Sequence, residues 1–151
     1  MISNARILIL GSGGREHAFA WSLVNDENVG KVYCSPGNGG TDNIAENIDL
    51  DTANHETVIE FVKSNNIDLT IVGPEAPLAD GIVDSFQKSG LPIFGPDKYA
   101  SQLESSKLFA RDMMARYDIP IPEYYSCKNR EEVDLVKVKL ELPLVLKADG
   151  L

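Results

Sequence analysis

The sequence is short of positive charge: 14 Lys and Arg stand against 23 Asp and Glu in 151 residues, a formal charge of −9 at pH 7. So acidic a chain lacks the broad basic face that nucleic acid or an anionic membrane needs, and neither is expected as a partner. A local basic pocket for a phosphate stays compatible with it. Cysteine is scarce as well. Cys34 and Cys127 lie far apart and form no C-x-x-C pair. They read as free thiols of a reducing compartment, with a disulfide as the alternative. His17 and His55 have no metal-ligand spacing with each other or with either cysteine, so no metal site is expected. No apolar run approaches the length of a membrane span, and Met1–Arg6 lacks the apolar core of a secretion signal. A soluble, cytoplasmic protein follows. Repeats and low-complexity segments are also missing. What is present is a 43% hydrophobic content, enough for a real core, over a length that suits one domain or one plus part of another.

The first hundred residues alternate strand and helix patterns. Arg6–Leu10 reads as a buried strand, followed by a helix whose inward face is His17, Ala20, Trp21 and Val24. Lys31–Cys34, Ala45–Ile48, Leu69–Val72 and Ile93-Phe94 read as further strands. A helix capped by Asp51 or Thr52 buries Val58, Phe61 and Val62, and another buries Ile82, Val83 and Phe86 before Gly90. This alternation predicts an α/β fold: a doubly wound parallel sheet with helices on both faces. The pattern then changes. Glu104–Tyr117 reads as a helix, ended by Ile119-Pro120-Ile121-Pro122. Tyr124-Tyr125 and Leu144–Lys147 read as strands flanking a charged helix capped by Asn129, with Val133, Val136 and Leu140 inward. The expected organisation is a domain over 1–103, a linking helix over 104–118, and the truncated opening of a second domain over 119–151. Unpaired strand edges in that last segment would invite pairing with another chain, so it is expected to be disordered or to self-associate.

Three glycine-bearing loops, Gly11–Arg15, Pro36–Thr41 and Gly73–Leu78, fall at the C-terminal ends of three expected parallel strands, the edge where open α/β sheets bind ligands. The first joins a strand to a helix N-terminus, a combination that suits a phosphate. It is not a P-loop, because G-x-x-x-x-G-K-[ST] does not occur. It also departs from the dinucleotide fingerprint: Gly11 and Gly13 fit, but Glu16 stands where the third glycine belongs, and Cys34-Ser35 replaces the ribose-binding acid. Arg15 is a candidate phosphate contact, and Glu16 reads as part of a solvated first helical turn. His17 reads as a core histidine and His55 as exposed. Glu75, between Pro74 and Pro77, reads as a stiffened loop carboxylate suited to accept from both hydroxyls of a ribose. Lys107 follows Ser105-Ser106 near a helix start, where a cation is unfavourable unless an anion lies nearby. Lys147 ends an apolar strand and needs a partner if buried. No nucleophile–base pair is present for covalent catalysis, so no catalytic residue is assigned.

The stretches GSGGREHAFAW (11–21), PGNGGT (36–41), DLTIVGPEAPLADGIVD (68–84), IFGP (93–96), QLESSKLFARDMMARYDIP (102–120) and VLKADGL (145–151) together resemble the glycinamide ribonucleotide synthetase family, the phosphoribosylamine–glycine ligases of purine biosynthesis. The resemblance implies a Rossmann-like domain preceding an ATP-grasp fold, and a ligase that joins phosphoribosylamine to glycine with ATP and magnesium. It implies that Gly13, Gly14, Arg15, Gly37 and Asn38 hold the phosphoribosyl group, that Glu75 contacts the ribose, and that Lys107 and Lys147 contact ATP phosphates. Gly39 stands where many members have alanine. The family's flexible glycine-rich loop, adenine contacts, magnesium carboxylates and most of its glycine site lie beyond these residues, so the chain alone is expected to bind without turnover. A non-catalytic sugar-phosphate or nucleotide binding module is the alternative. A nicotinamide dehydrogenase is disfavoured by Glu16 and the missing ribose acid.

Overall fold

A computed structural model describes residues 4–140 and 143–150. Leu151, the end of the last motif quoted above, and the Glu141-Leu142 pair lie outside them. The chain divides into two compact units, residues 1–101 and 102–151.

The first unit is a five-stranded, wholly parallel sheet in the order β3-β2-β1-β4-β5. Its strands are β1 (Ala5–Gly11), β2 (Val29–Pro36), β3 (Glu46–Asn47), β4 (Leu69–Val72) and β5 (Ile93–Phe94). Side chains alternate between the two faces of a strand, and β1 is apolar at nearly every position, so both faces must be covered. Leu8 and Leu10 join Tyr33 and Val72 on one face. There they pack on Val58 and Val62 of α2 (His55–Ser64) and on Ile82, Val83 and Phe86 of α4 (Ile82–Lys88). Ile7 and Ile9 join Val32, Cys34 and Ile71 on the other face, under Ala20 of α1 (Gly14–Val24). The doubly wound sheet expected from the alternating pattern is therefore what forms.

Several local expectations are corrected. Trp21 is 63% exposed. The inward stripe of α1 is instead Glu16 and Ala20, with Phe19, Leu23 and Val24 packed against the core, an arc that the apolar pairs 19–20 and 23–24 support equally well. Asn54, not Asp51 or Thr52, caps α2, its side chain accepting from Thr57 N. His55 is only partly exposed, with Nδ1 2.9 Å from Ser85 Oγ. The Gly73–Leu78 loop is in part a short helix, α3 (Glu75–Asp80), which Pro74 precedes in extended conformation.

In the second unit α5 (Gln102–Ser105) and α6 (Lys107–Arg116) replace one continuous helix. Ser106 breaks it by turning extended and accepting from Phe109 N as an N-cap. Asn129 caps α7 (Arg130–Lys137) as expected, through Glu132 N. Tyr124-Tyr125 and Leu144–Lys147 are not strands, and none occurs among the described residues of this unit. A strand needs a neighbour to take its backbone N–H and C=O groups, and these two segments do not pair.

Candidate functional site

The chain runs outward from β1 through β2 to β3, then returns to place β4 on the other side of β1. This reversal leaves a crevice beyond the C-terminal ends of β1 and β4, the place where open α/β sheets take ligands. A cleft of about 440 Å³ opens here, lined by Ser12, Gly13, Arg15, Pro36, Glu75 and Pro77 among others. A larger groove of about 580 Å³ runs beside Lys31, Asp42 and Glu46. We place the site in the smaller cleft because the glycine turn, the helix start and the Arg15–Glu75 pair converge there.

Arg15 bridges two of the three loops. Its Nη1 donates to Gly73 O at 2.5 Å and its Nη2 to Glu75 Oε1 at 3.1 Å. Glu75 is thereby held below the usual carboxylate range, first by its own backbone N–H and then by Arg15. The sequence assigns the two residues to different parts of a ligand; the structure pairs them directly across the cleft mouth.

Asn38 ties its own loop to the first one. Its Nδ2 donates to Ser12 O and Gly13 O at 2.9 and 3.2 Å, while its Oδ1 accepts from Gly40 N and Thr41 N at 2.7 and 3.0 Å. Asn47 Nδ2 supports the loop from below through Asn38 O. Gly37 makes this turn with φ 72°, and a Cβ there would fall 2.1 Å from Asn47 Oδ1. Gly37 and Asn38 thus shape the cleft rather than line it. Above Gly14 the space is open, since a Cβ there would meet nothing within 4 Å. His17 is half-buried, its ring packed on Gly40.

Glu16 is the residue that sequence reasoning placed wrongly. It is 5% exposed rather than solvated, and its Oε2 accepts from Gly13 N at 2.6 Å. This is one half of a capping box, and its signal was present as a glutamate three residues after the cap position. Below the site, burial pushes the Cys34 thiol up to about 11, so it is not a nucleophile at neutral pH.

In the second unit, Lys107 Nζ donates to Gly150 O at 2.6 Å. Asp149 lies at the start of α6, where it accepts from Leu108 N and Ser106 Oγ and is held below its usual range mainly by the Leu108 N–H. Lys147 is exposed and ends no strand. Among the described residues no three His, Cys, Asp or Glu side chains gather as a cluster that could hold a metal ion. No helix among them is long and apolar enough to cross a membrane.

Residues 5–104 match the family model for the phosphoribosylglycinamide synthetase N domain. Phosphoribosylamine–glycine ligases from Clostridium acetobutylicum and Neisseria meningitidis serogroup B are 51% and 52% identical to the chain over 97% of its length. The chain spans about a third of their lengths, 35% and 34%. The crystal structure of a phosphoribosylamine–glycine ligase from Thermotoga maritima superposes with a TM-score of 0.74 at 29% identity, over 97% of this chain and 34% of that one. An N5-carboxyaminoimidazole ribonucleotide synthetase from Thermus thermophilus shares the fold, with a TM-score of 0.67 at 17% identity over 91% of this chain and 37% of that one. The chain belongs to the phosphoribosylglycinamide synthetase N-domain family.

Proposed function

We propose that the first unit holds the phosphoribosyl group of phosphoribosylamine, for a ligase that joins this amine to glycine with ATP. The observation that carries the reading is the Arg15–Glu75 pair at the mouth of the crevice, beside the glycine turn that opens α1. The first-turn N–H groups of a helix favour an anion, and open space above Gly14 admits one. One arm of Arg15 stays on Gly73 O and fixes the guanidinium, while the other arm can exchange Glu75 for a phosphate oxygen. Glu75, held ionised, then accepts from the ribose hydroxyls. Gly13, Gly14 and Arg15 face the phosphate; Gly37 and Asn38 keep the loops in place around it.

ATP and magnesium belong to this reading through the ligase as a whole. Lys107 and Lys147 are the proposed phosphate contacts; Lys107 Nζ donates to Gly150 O in this structure, and no catalytic step is assigned to either lysine. Calorimetric titration with ribose 5-phosphate tests the proposal. We expect saturable binding without ATP, weakened when inorganic phosphate replaces the sugar phosphate, and no ADP release with glycine and phosphoribosylamine. Equal affinity for both probes would remove the ribose assignment. ADP release dependent on both substrates would show that these residues suffice for turnover.

A further inference from the structure

The Glu16 side chain is buried in a cradle of glycines. A Cβ at Gly73 would fall 1.8 Å from Glu16 Oε1, and one at Gly11 would fall 2.7 Å from Cγ and 2.8 Å from Cδ. Oε2 takes the Gly13 N–H at 2.6 Å. The carboxylate therefore fills the floor of the crevice between the ends of β1 and β4. In a dinucleotide fingerprint the glycine at this sequence position leaves room for close helix–strand packing, and the pyrophosphate approaches the backbone beside it. Here that room holds a negative charge. Its nearest cation is Arg15, whose Nε lies 3.9 Å from Oε1 while its outer nitrogens are turned to Gly73 O and Glu75.

From this geometry we infer that Glu16 determines ligand class. It closes the crevice to a bridging diphosphate, by volume and by charge, and confines binding to a single phosphate at the Ser12–Arg15 rim. The inference rests on the phosphoribosyl reading for the identity of the accepted ligand, but not for the exclusion of the diphosphate. Like charges brought together in the crevice repel, so removing this one should raise affinity for a diphosphate more than for a single phosphate at the rim. The Arg15–Gly73 O bond is made through Nη1 rather than through the Nε that faces Glu16, so this anchor of the β4 loop does not need the carboxylate.

The test compares ribose 5-phosphate and ADP-ribose on the full chain and on two variants, by calorimetry, with thermal melts to show that each is folded. Glu16→Gln keeps an acceptor for Gly13 N–H and removes the charge; Glu16→Gly removes charge and volume. We expect ADP-ribose to bind the unmodified chain at least about tenfold more weakly than ribose 5-phosphate. The ratio should narrow about tenfold in Glu16→Gln and further in Glu16→Gly. A merely structural glutamate would weaken both ligands together and leave the ratio fixed, which would overturn the inference, as would tight ADP-ribose binding to the unmodified chain. If Glu16→Gly does not fold, Glu16→Gln alone decides. Failure of ribose 5-phosphate to bind, with ADP-ribose affinity still gained in Glu16→Gln, would overturn the phosphoribosyl reading and leave the exclusion standing.

Discussion

Arg15 and Glu75 are 60 residues apart in sequence, and their side chains meet at 3.1 Å across the mouth of the β1–β4 crevice. Arg15 makes this contact while also holding Gly73 O, a two-armed geometry that a lysine cannot reproduce. Arg15→Lys should therefore weaken ribose 5-phosphate binding by about tenfold or more, although the charge is kept. Glu75→Gln should lower affinity for ribose 5-phosphate and leave inorganic phosphate unchanged or tighter, since the acid serves the sugar and competes for Arg15. Parallel titrations with the two ligands check both.

Two glycines in the site loops should respond in opposite ways to alanine. Gly14→Ala adds a methyl group to open space at the start of α1, so the urea midpoint should move by no more than about 1 kcal/mol in stability. The same methyl projects where the phosphate is proposed to sit, so ribose 5-phosphate binding should fall. Gly73→Ala drives a methyl into the buried Glu16 carboxylate and should cost about 1–3 kcal/mol of stability. Urea unfolding beside ligand titration separates the two outcomes.

Asn38 uses both ends of its amide, and only an amide offers both. Asn38→Asp places a carboxylate oxygen against Ser12 O and Gly13 O in place of the donor. A loss of about 1–3 kcal/mol is expected, read as a lower urea midpoint. Asn38→Ala should lose a similar amount without the repulsion, so the aspartate variant alone should recover partly as the pH is lowered enough to protonate it.

Cys34 should resist modification. Its thiol ionises near 11 in the folded chain against 9.0 for an ordinary thiol, because burial disfavours the thiolate. At neutral pH an aromatic disulfide reagent should label Cys127 in the folded protein and reach Cys34 only on unfolding. The raised value also sets a sign for stability. Below pH 9 both states hold the proton and nothing is lost. Between 9 and 11 the unfolded chain releases it first, so folding weakens as pH rises. Relative to Cys34→Ala, the unmodified chain should lose stability across that window.

The sheet was legible because β1 and β4 are apolar runs closed by glycine, and a buried parallel strand leaves little else that such a run can be. The three loops followed from that edge, and with them Arg15 and Glu75 as candidates; Gly13, Gly14, Gly37 and Asn38 were added by the family resemblance. What could not be read was how side chains resolve competing partners. Glu16 reads as solvated until the glycine cradle around it is seen, because a capping glutamate and a surface glutamate are identical in sequence. That Asp149 would lie at the start of α6 was not legible either, since it stands 42 residues beyond Lys107 in sequence. Apolar composition marked Leu144–Lys147 as a strand, but pairing is a property of two segments, and no neighbouring strand is present among the described residues of the second unit.

β3 has only two residues, Glu46 and Asn47, and lies at the edge of the sheet. Asn47 lies opposite Cys34 in the ladder and turns its amide toward the Asn38 carbonyl and the Thr41 hydroxyl. A slip of one residue would send that amide to the opposite face. The alignment of a two-residue strand is therefore a positional code: it fixes where a loop at the other end of the ligand cleft is allowed to stand, and mutations that disturb the edge should be felt first as misplaced binding groups.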